Sequence, residues 1–336
     1  MKDKVQLQSA AEFALNWPVS DVPEKTLVYV AHLLLDTIGV AAAAHDTDAG
    51  RIARDTAFLL YNTQSETHRA SILFDGRTAS LPGAAFAAAS QIDNLDAHDG
   101  YNPVKGHIAV AVVPSLLSLA AQLPNLSGRE ALAALAISYE IAGRAGLALH
   151  DTVSDYHTSG AWNSLGVAAL AARLRGASED TLRQALGIAE YHGPRSQMMR
   201  EINNPTMLHD GSGMGAFIGL SALLMAEQGF TGAPAITVED DQVAHYWEDL
   251  GSHWLTDEQY VKPYPICRWA HAAIDGAEKI RQVHGISGSD VASIRIGAFQ
   301  NATELFAGMP TTTSQAQYSL PFAVAAMLER GEVAVK

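Results

Sequence analysis

The sequence predicts a mainly α protein: a large all-α domain over residues 1–262 and, over 263–336, the first part of a smaller α/β domain. Three observations predict it. Apolar residues recur at helical spacing in one Ala/Leu-rich segment after another, with short polar punctuation between them. The run Lys262, Pro263, Tyr264, Pro265 forces extended backbone at the end of that series. Beyond it, Val291 to Phe299 alternates apolar and polar residues like a half-buried strand.

The first helix covers residues 6–16 and stops at Trp17 and Pro18. Asp21, Pro23 and Glu24 then offer an N-cap, an early proline and a capping-box acid for a helix reaching about Ala44. Further helices are expected over 48–62, 81–93, 108–122, 128–148, 161–174, 178–190 and 211–228, and a last one from Leu320 to Arg330. Small residues on many faces predict helices packed closely together. The glycines between Gly211 and Gly215 fit such packing better than a phosphate loop, because no strand precedes them and no Walker lysine follows. Since a lone strand forms no sheet, the strand at 291–299 implies partner strands contributed elsewhere or a sequence that is part of a longer one.

A chain of 336 residues with a net charge of −14 is not built for non-specific attraction to nucleic acid or anionic membrane, although it can still hold a local cationic pocket. Cys267 is the only cysteine, which excludes an intrachain disulfide framework and any thiolate-held zinc or iron–sulfur site. A buried, inert thiol is its expected state. Cytoplasm is the expected compartment. The apolar run from Leu33 to Ala44, interrupted by Asp36, is expected to be a buried helix rather than a membrane span.

Polar chemistry concentrates at helix boundaries in five segments: Asp93 to His107, Asp155 to Ser159, His192 to Ser196, Met207 to Gly213, and Lys262 to His271. The first is the densest, with Asp93, Asp96, Asp99, His98, His107 and Lys105 inside fifteen residues. Helix ends presented on one side of an α domain converge on a pocket, and histidines beside cations suit proton transfer on an anionic substrate.

Together these segments resemble the MmgE/PrpD family. The likeness rests on Leu34 to Val40, the loop from Asp96 to His107, Tyr156 to Ser159 before a Gly/Ala-rich helix, Leu208 to Gly211, and the distinctive run from Lys262 to His271. It implies a helical main domain with an α/β lid, a homodimer, and chemistry without cofactor or metal on small di- or tricarboxylates in a cleft between the domains. It also implies a lyase of 2-methylcitrate dehydratase type, with iminodisuccinate-like epimerase or cis-aconitate-type decarboxylase as alternatives. Family members are longer than this chain. Asp96 and His107 match the acidic and imidazole positions of the loop motif, with one residue of altered spacing, and Gly100 and Asn102 stand where Thr or His is usual.

Abstracting a proton α to a carboxylate requires a base at carbon and donors on the carboxylate oxygens. The candidate catalytic residues are accordingly Asp96, His107, His157 and His209, with His107 and His157 the acid–base pair. Lys105, Lys262, Arg268, His271 and Tyr318 are the candidate substrate-binding residues, and His209 is a further carboxylate holder. Structural roles compete with these. His157 could cap the next helix, His209 could be a solvated loop residue, and Arg268 could pair with Asp275. Two other classes of function compete as well: a zinc or manganese hydrolase built on Asp93, Asp96, His98, Asp99 and His107, and a non-catalytic dimer partner.

Overall fold

The computed structural model describes residues 2–334. In chain order its helices are α1 (Lys2–Asn16), α2 (Glu24–Ala43), α3 (Asp48–Leu60), α4 (Leu81–Asp93), α5 (Ala109–Ala120), α6 (Gly128–Thr152), α7 (Gly160–Arg175), α8 (Glu179–His192), α9 (Met198–Asn203), α10 (Ser212–Glu227), α11 (Ile236–Glu239), α12 (His271–His284), α13 (Gln300–Thr303), α14 (Thr313–Gln317) and α15 (Leu320–Arg330). A short antiparallel hairpin, β1 (Arg69–Ser71) and β2 (Thr78–Ser80), leads into α4. The protein is mainly α.

Several helix starts follow their caps. The hydroxyls of Thr47, Ser80 and Ser178 accept from backbone N–H groups of the first turns of α3, α4 and α8, and Ser127 forms a capping box with Glu130 on α6. The start of α2 differs from expectation. Asp21 ends a preceding 3-10 turn and leaves the cap position to Pro23, so no side chain caps this helix.

Helix α7 is the hub, buried on every face from Gly160 to Ala172 and flanked by α5, α6, α8 and α10. Glycine permits the closest approach. A Cβ on Gly215 of α10 would sit 2.8 Å from the Cα of Gly160 on α7, so these two helices meet almost backbone to backbone. Helices α2 and α6 are both long and apolar enough to cross a membrane. α6 lies in the core. α2 is not the fully buried helix expected: it buries Leu27, Val30, Leu33 and Val40 on one face and leaves Val28 and Leu35 exposed on the other.

A second apolar core joins Met198 and Ile202 of α9 to Ile266, Ile274, Leu305, Tyr318, Val324 and Met327. The expected strand at 291–299 does not form. The backbone there runs without regular structure, and the described residues place no partner strand beside it.

Candidate active site

The loop after α4 is held from within. Asp99 is fully buried, with one carboxylate oxygen accepting the Ala109 N–H at the start of α5 (3.1 Å) and the other accepting the Tyr139 hydroxyl of α6 (2.8 Å). Burial raises its pKa. Asp93 accepts the Ser212 N–H at the start of α10 (3.1 Å), and Gln317 of α14 donates to the Asn94 carbonyl (2.9 Å). Both aspartates thus anchor the loop between four helices, and the residues between them are free for other work.

Asp96 is one of those residues. Its Oδ1 takes a 2.5 Å hydrogen bond from the Lys262 ammonium, both side chains being buried, while its Oδ2 is buried without a partner. Lys262 is delivered by the segment around 249–260, which the buried Glu140 of α6 ties down by accepting from the Leu255 and Thr256 N–H groups at 3.1 and 2.9 Å. Gly100 explains one departure from the family pattern: it bridges to Tyr260 in antiparallel fashion, and a Cβ there would lie 2.4 Å from the tyrosine oxygen.

Backbone strain marks the same place. Among the described residues four that are not glycine have positive φ, and three of them, Asp96 (52°), Lys105 (51°) and His209 (47°), are candidate site residues. Such conformations cost about 1–3 kcal/mol each and persist where their surroundings hold them.

His107 lies beside Asp96. Its Nδ1 donates to the Asp99 carbonyl (2.5 Å), which fixes the ring and leaves Nε2 available, 3.6 Å from Asp210 Oδ2. Asp210 was not among the residues singled out from sequence. Its other oxygen accepts the Ser159 N–H (3.1 Å) and hydroxyl (2.8 Å), and Ser159 in turn accepts the His107 N–H (3.0 Å). The only sequence signal was its position beside His209.

A small cavity, about 60 Å³, opens between the two cores. Asp96, His107 and Asp210 contribute its acid–base groups, and Lys105 and Arg268 its cations. The Lys105 ammonium stands 5.5 Å from the Tyr156 ring centre and the Arg268 guanidinium 4.8 Å from that of Tyr260, cation–π contacts that hold both charges at the cleft. Among the described residues neither cation forms an ion pair, and Asp275 bonds the Tyr264 hydroxyl (2.9 Å) instead of Arg268. Tyr318 closes one side; His209 packs edge-on behind it at 5.3 Å, buried rather than solvated, with Nε2 unpartnered. Burial lowers the His209 pKa against the pull of Asp96 and Asp210. Cys267 also lines the cavity, its thiol pushed up to about 12 by burial.

Four candidates stand outside the lining: Lys262 behind Asp96, His209 behind Tyr318, and, without such a link to the cleft, His157 and His271. His157 pairs through its backbone with Gln197, and its neighbour Tyr156 faces the cleft; successive side chains of an extended segment point to opposite sides, so the imidazole turns away. It does not cap α7 by its side chain either. His271 is buried, bonded through Nε2 to the Ile266 carbonyl (2.9 Å), with its pKa pushed down to about 4 by burial and by Lys262.

One subset could hold a metal. Donor atoms of Asp96, His98 and His107 lie within 4.8 Å of one another, all three residues buried.

The site is thus a helical body with carboxylates, an imidazole and two cations gathered on one interior cleft. The chain belongs to the MmgE/PrpD family: the N-terminal domain of that family matches residues 8–246 and the C-terminal domain residues 264–336. It is also similar to cis-aconitate decarboxylase of Mus musculus, 26% identical over 272 residues, covering 74% of this chain and 53% of that one. The chain therefore spans about half the length of this curated relative.

Proposed function

We propose that this protein is a lyase that works without a cofactor on a small di- or tricarboxylate, removing a proton α to a carboxylate and eliminating water in the manner of 2-methylcitrate dehydratase. One observation carries the reading: Lys105 and Arg268, cations without acid partners, share a cleft with His107, Asp96 and Asp210. Two carboxylates of a substrate satisfy the two cations.

With Nδ1–H committed to the Asp99 carbonyl, the neutral His107 ring has its lone pair on Nε2, at the cleft, and this atom takes the α-proton. The developing enolate-like charge lies against Lys105 and Arg268. The departing hydroxide takes a proton from the Asp96–Lys262 couple, the hydrogen-bonded carboxylate and ammonium at the cleft wall.

Decarboxylation is the second reading, favoured by the named activity of the mouse relative. There the carbon–carbon bond breaks first, and a protonated His107 returns a proton to the carbanion.

Incubation of purified protein with citrate, 2-methylcitrate and cis-aconitate in D₂O separates the two. α-Deuterium together with an unsaturated acid supports dehydration; carbon dioxide with a deuterated product supports the second reading. Neither exchange nor turnover on any of the three acids overturns both.

A further inference from the structure

We propose that Asp96, His98 and His107 form a binding site for a borderline divalent cation of the zinc type, using a histidine that the carbon-acid chemistry leaves idle. His98 does not line the cleft, yet it is fully buried and packs against His107 with ring centres 4.5 Å apart. Its ring nitrogens have only weak contacts, with the Ile92 carbonyl and, at 3.8 Å, with the Asp93 carboxyl, neither of them a full hydrogen bond, and Asp96 Oδ2 is buried and unpartnered too. Unsatisfied donors and acceptors are expensive in a packed interior. Poorly satisfied groups of Asp96 and His98 lying beside the His107 ring are explained by a shared ligand.

The chemistry of the set is specific. Two imidazoles and one carboxylate suit zinc, cobalt or nickel, and three protein ligands with a fourth position open are a common arrangement for exchangeable zinc. Bond lengths of about 2.0–2.2 Å place donors about 3.3 Å apart, so a spread of 4.8 Å closes with side-chain shifts of about 1 Å. Outer contacts are in place as well. His107 gives Nδ1–H to the Asp99 carbonyl and so presents Nε2, and His98 Nε2 has the Asp93 carboxyl at 3.8 Å. Such carbonyl and carboxylate partners orient metal-bound histidines. Lys262, on Asp96 Oδ1, is the competing cation.

The ion would occupy His107 Nε2, the base of the proposed reaction, and block it. That consequence rests on the proposed function; the binding does not.

Chelator-treated protein is titrated with Co²⁺, followed by visible absorption, and Zn²⁺ is then added to displace it. One equivalent of Co²⁺ should develop bands of a low-coordinate site that Zn²⁺ abolishes. His98→Asn should weaken Zn²⁺ at least tenfold, and Lys262→Met, lacking the competing ammonium, should tighten it at least threefold. No stoichiometric binding by the parent protein overturns the proposal, as does unchanged affinity in His98→Asn, which would assign the ion to surface histidines. Where His98→Asn fails to fold, Lys262→Met decides: unchanged or weaker binding overturns the site. No substrate enters these measurements, so they fail or succeed independently of the lyase reading.

Discussion

Asp96 and Lys262 are 166 residues apart in sequence and share a buried 2.5 Å ion pair at the wall of the cleft. The carboxylate comes from the start of the loop after α4, and the ammonium from the crossing between the two apolar cores. This pair joins the halves of the site.

Breaking it from one side should be costly. Lys262→Met leaves a buried, uncompensated carboxylate and is expected to lower stability by about 3–5 kcal/mol, whereas Asp96→Leu combined with Lys262→Met should recover most of that loss. Denaturant midpoints of the three proteins check this. A double variant no more stable than Lys262→Met would show that the pair is not the energetic unit described. The double variant should remain inactive.

His107→Asn is expected to cut turnover by about 10²–10⁴-fold with little change in the KM of a tricarboxylate, because the ring moves a proton and the cations bind the substrate. Asp210→Asn should produce a smaller loss, since it touches the ring at 3.6 Å and holds Ser159. Steady-state kinetics on whichever acid turns over give both numbers. A loss appearing wholly in KM would move His107 from proton transfer to binding.

Arg268→Leu should weaken a dicarboxylate inhibitor far more than its monocarboxylate analogue. A charge-assisted contact is worth about 1.5–3 kcal/mol, or roughly 10- to 150-fold in affinity. Calorimetry with the two ligands measures the contrast, and an equal loss for both would make the residue structural.

The acid limb of stability should carry the signature of His271. Its ordinary pKa of 6.5 falls to about 4 in the folded protein. Between those values the unfolded chain binds a proton that the folded ring refuses, so this group's contribution to stability is lost as pH falls from 6.5 toward 4. His271→Gln, which keeps a donor for the Ile266 carbonyl, should lose stability less steeply than the parent across that window. Parallel curves from pH 7 to 5 would mean that the buried ring carries no such linkage.

How much of this could be read from the chain depends on the range of the forces involved. Helical periodicity, Ser/Thr caps and glycine-permitted packing are local, and so the helices of the main body lie where their residues predict, with α2 starting at Pro23 and only half buried for want of partners on one face. The composition of the Asp93–His107 loop likewise marked it for chemistry. What local pattern left undetermined was which side chains meet. Asp99 became a buried anchor, Tyr156 rather than His157 lined the cleft, His271 was consumed by a backbone carbonyl, and Asp210 was recruited by a serine 51 residues earlier. Alternation at 291–299 made no strand, because a strand is defined by a partner. By itself the sequence determined helix, loop and charge; only tertiary packing decided which side chain reached the cleft, because desolvation and side-chain direction are set by neighbours distant in the chain.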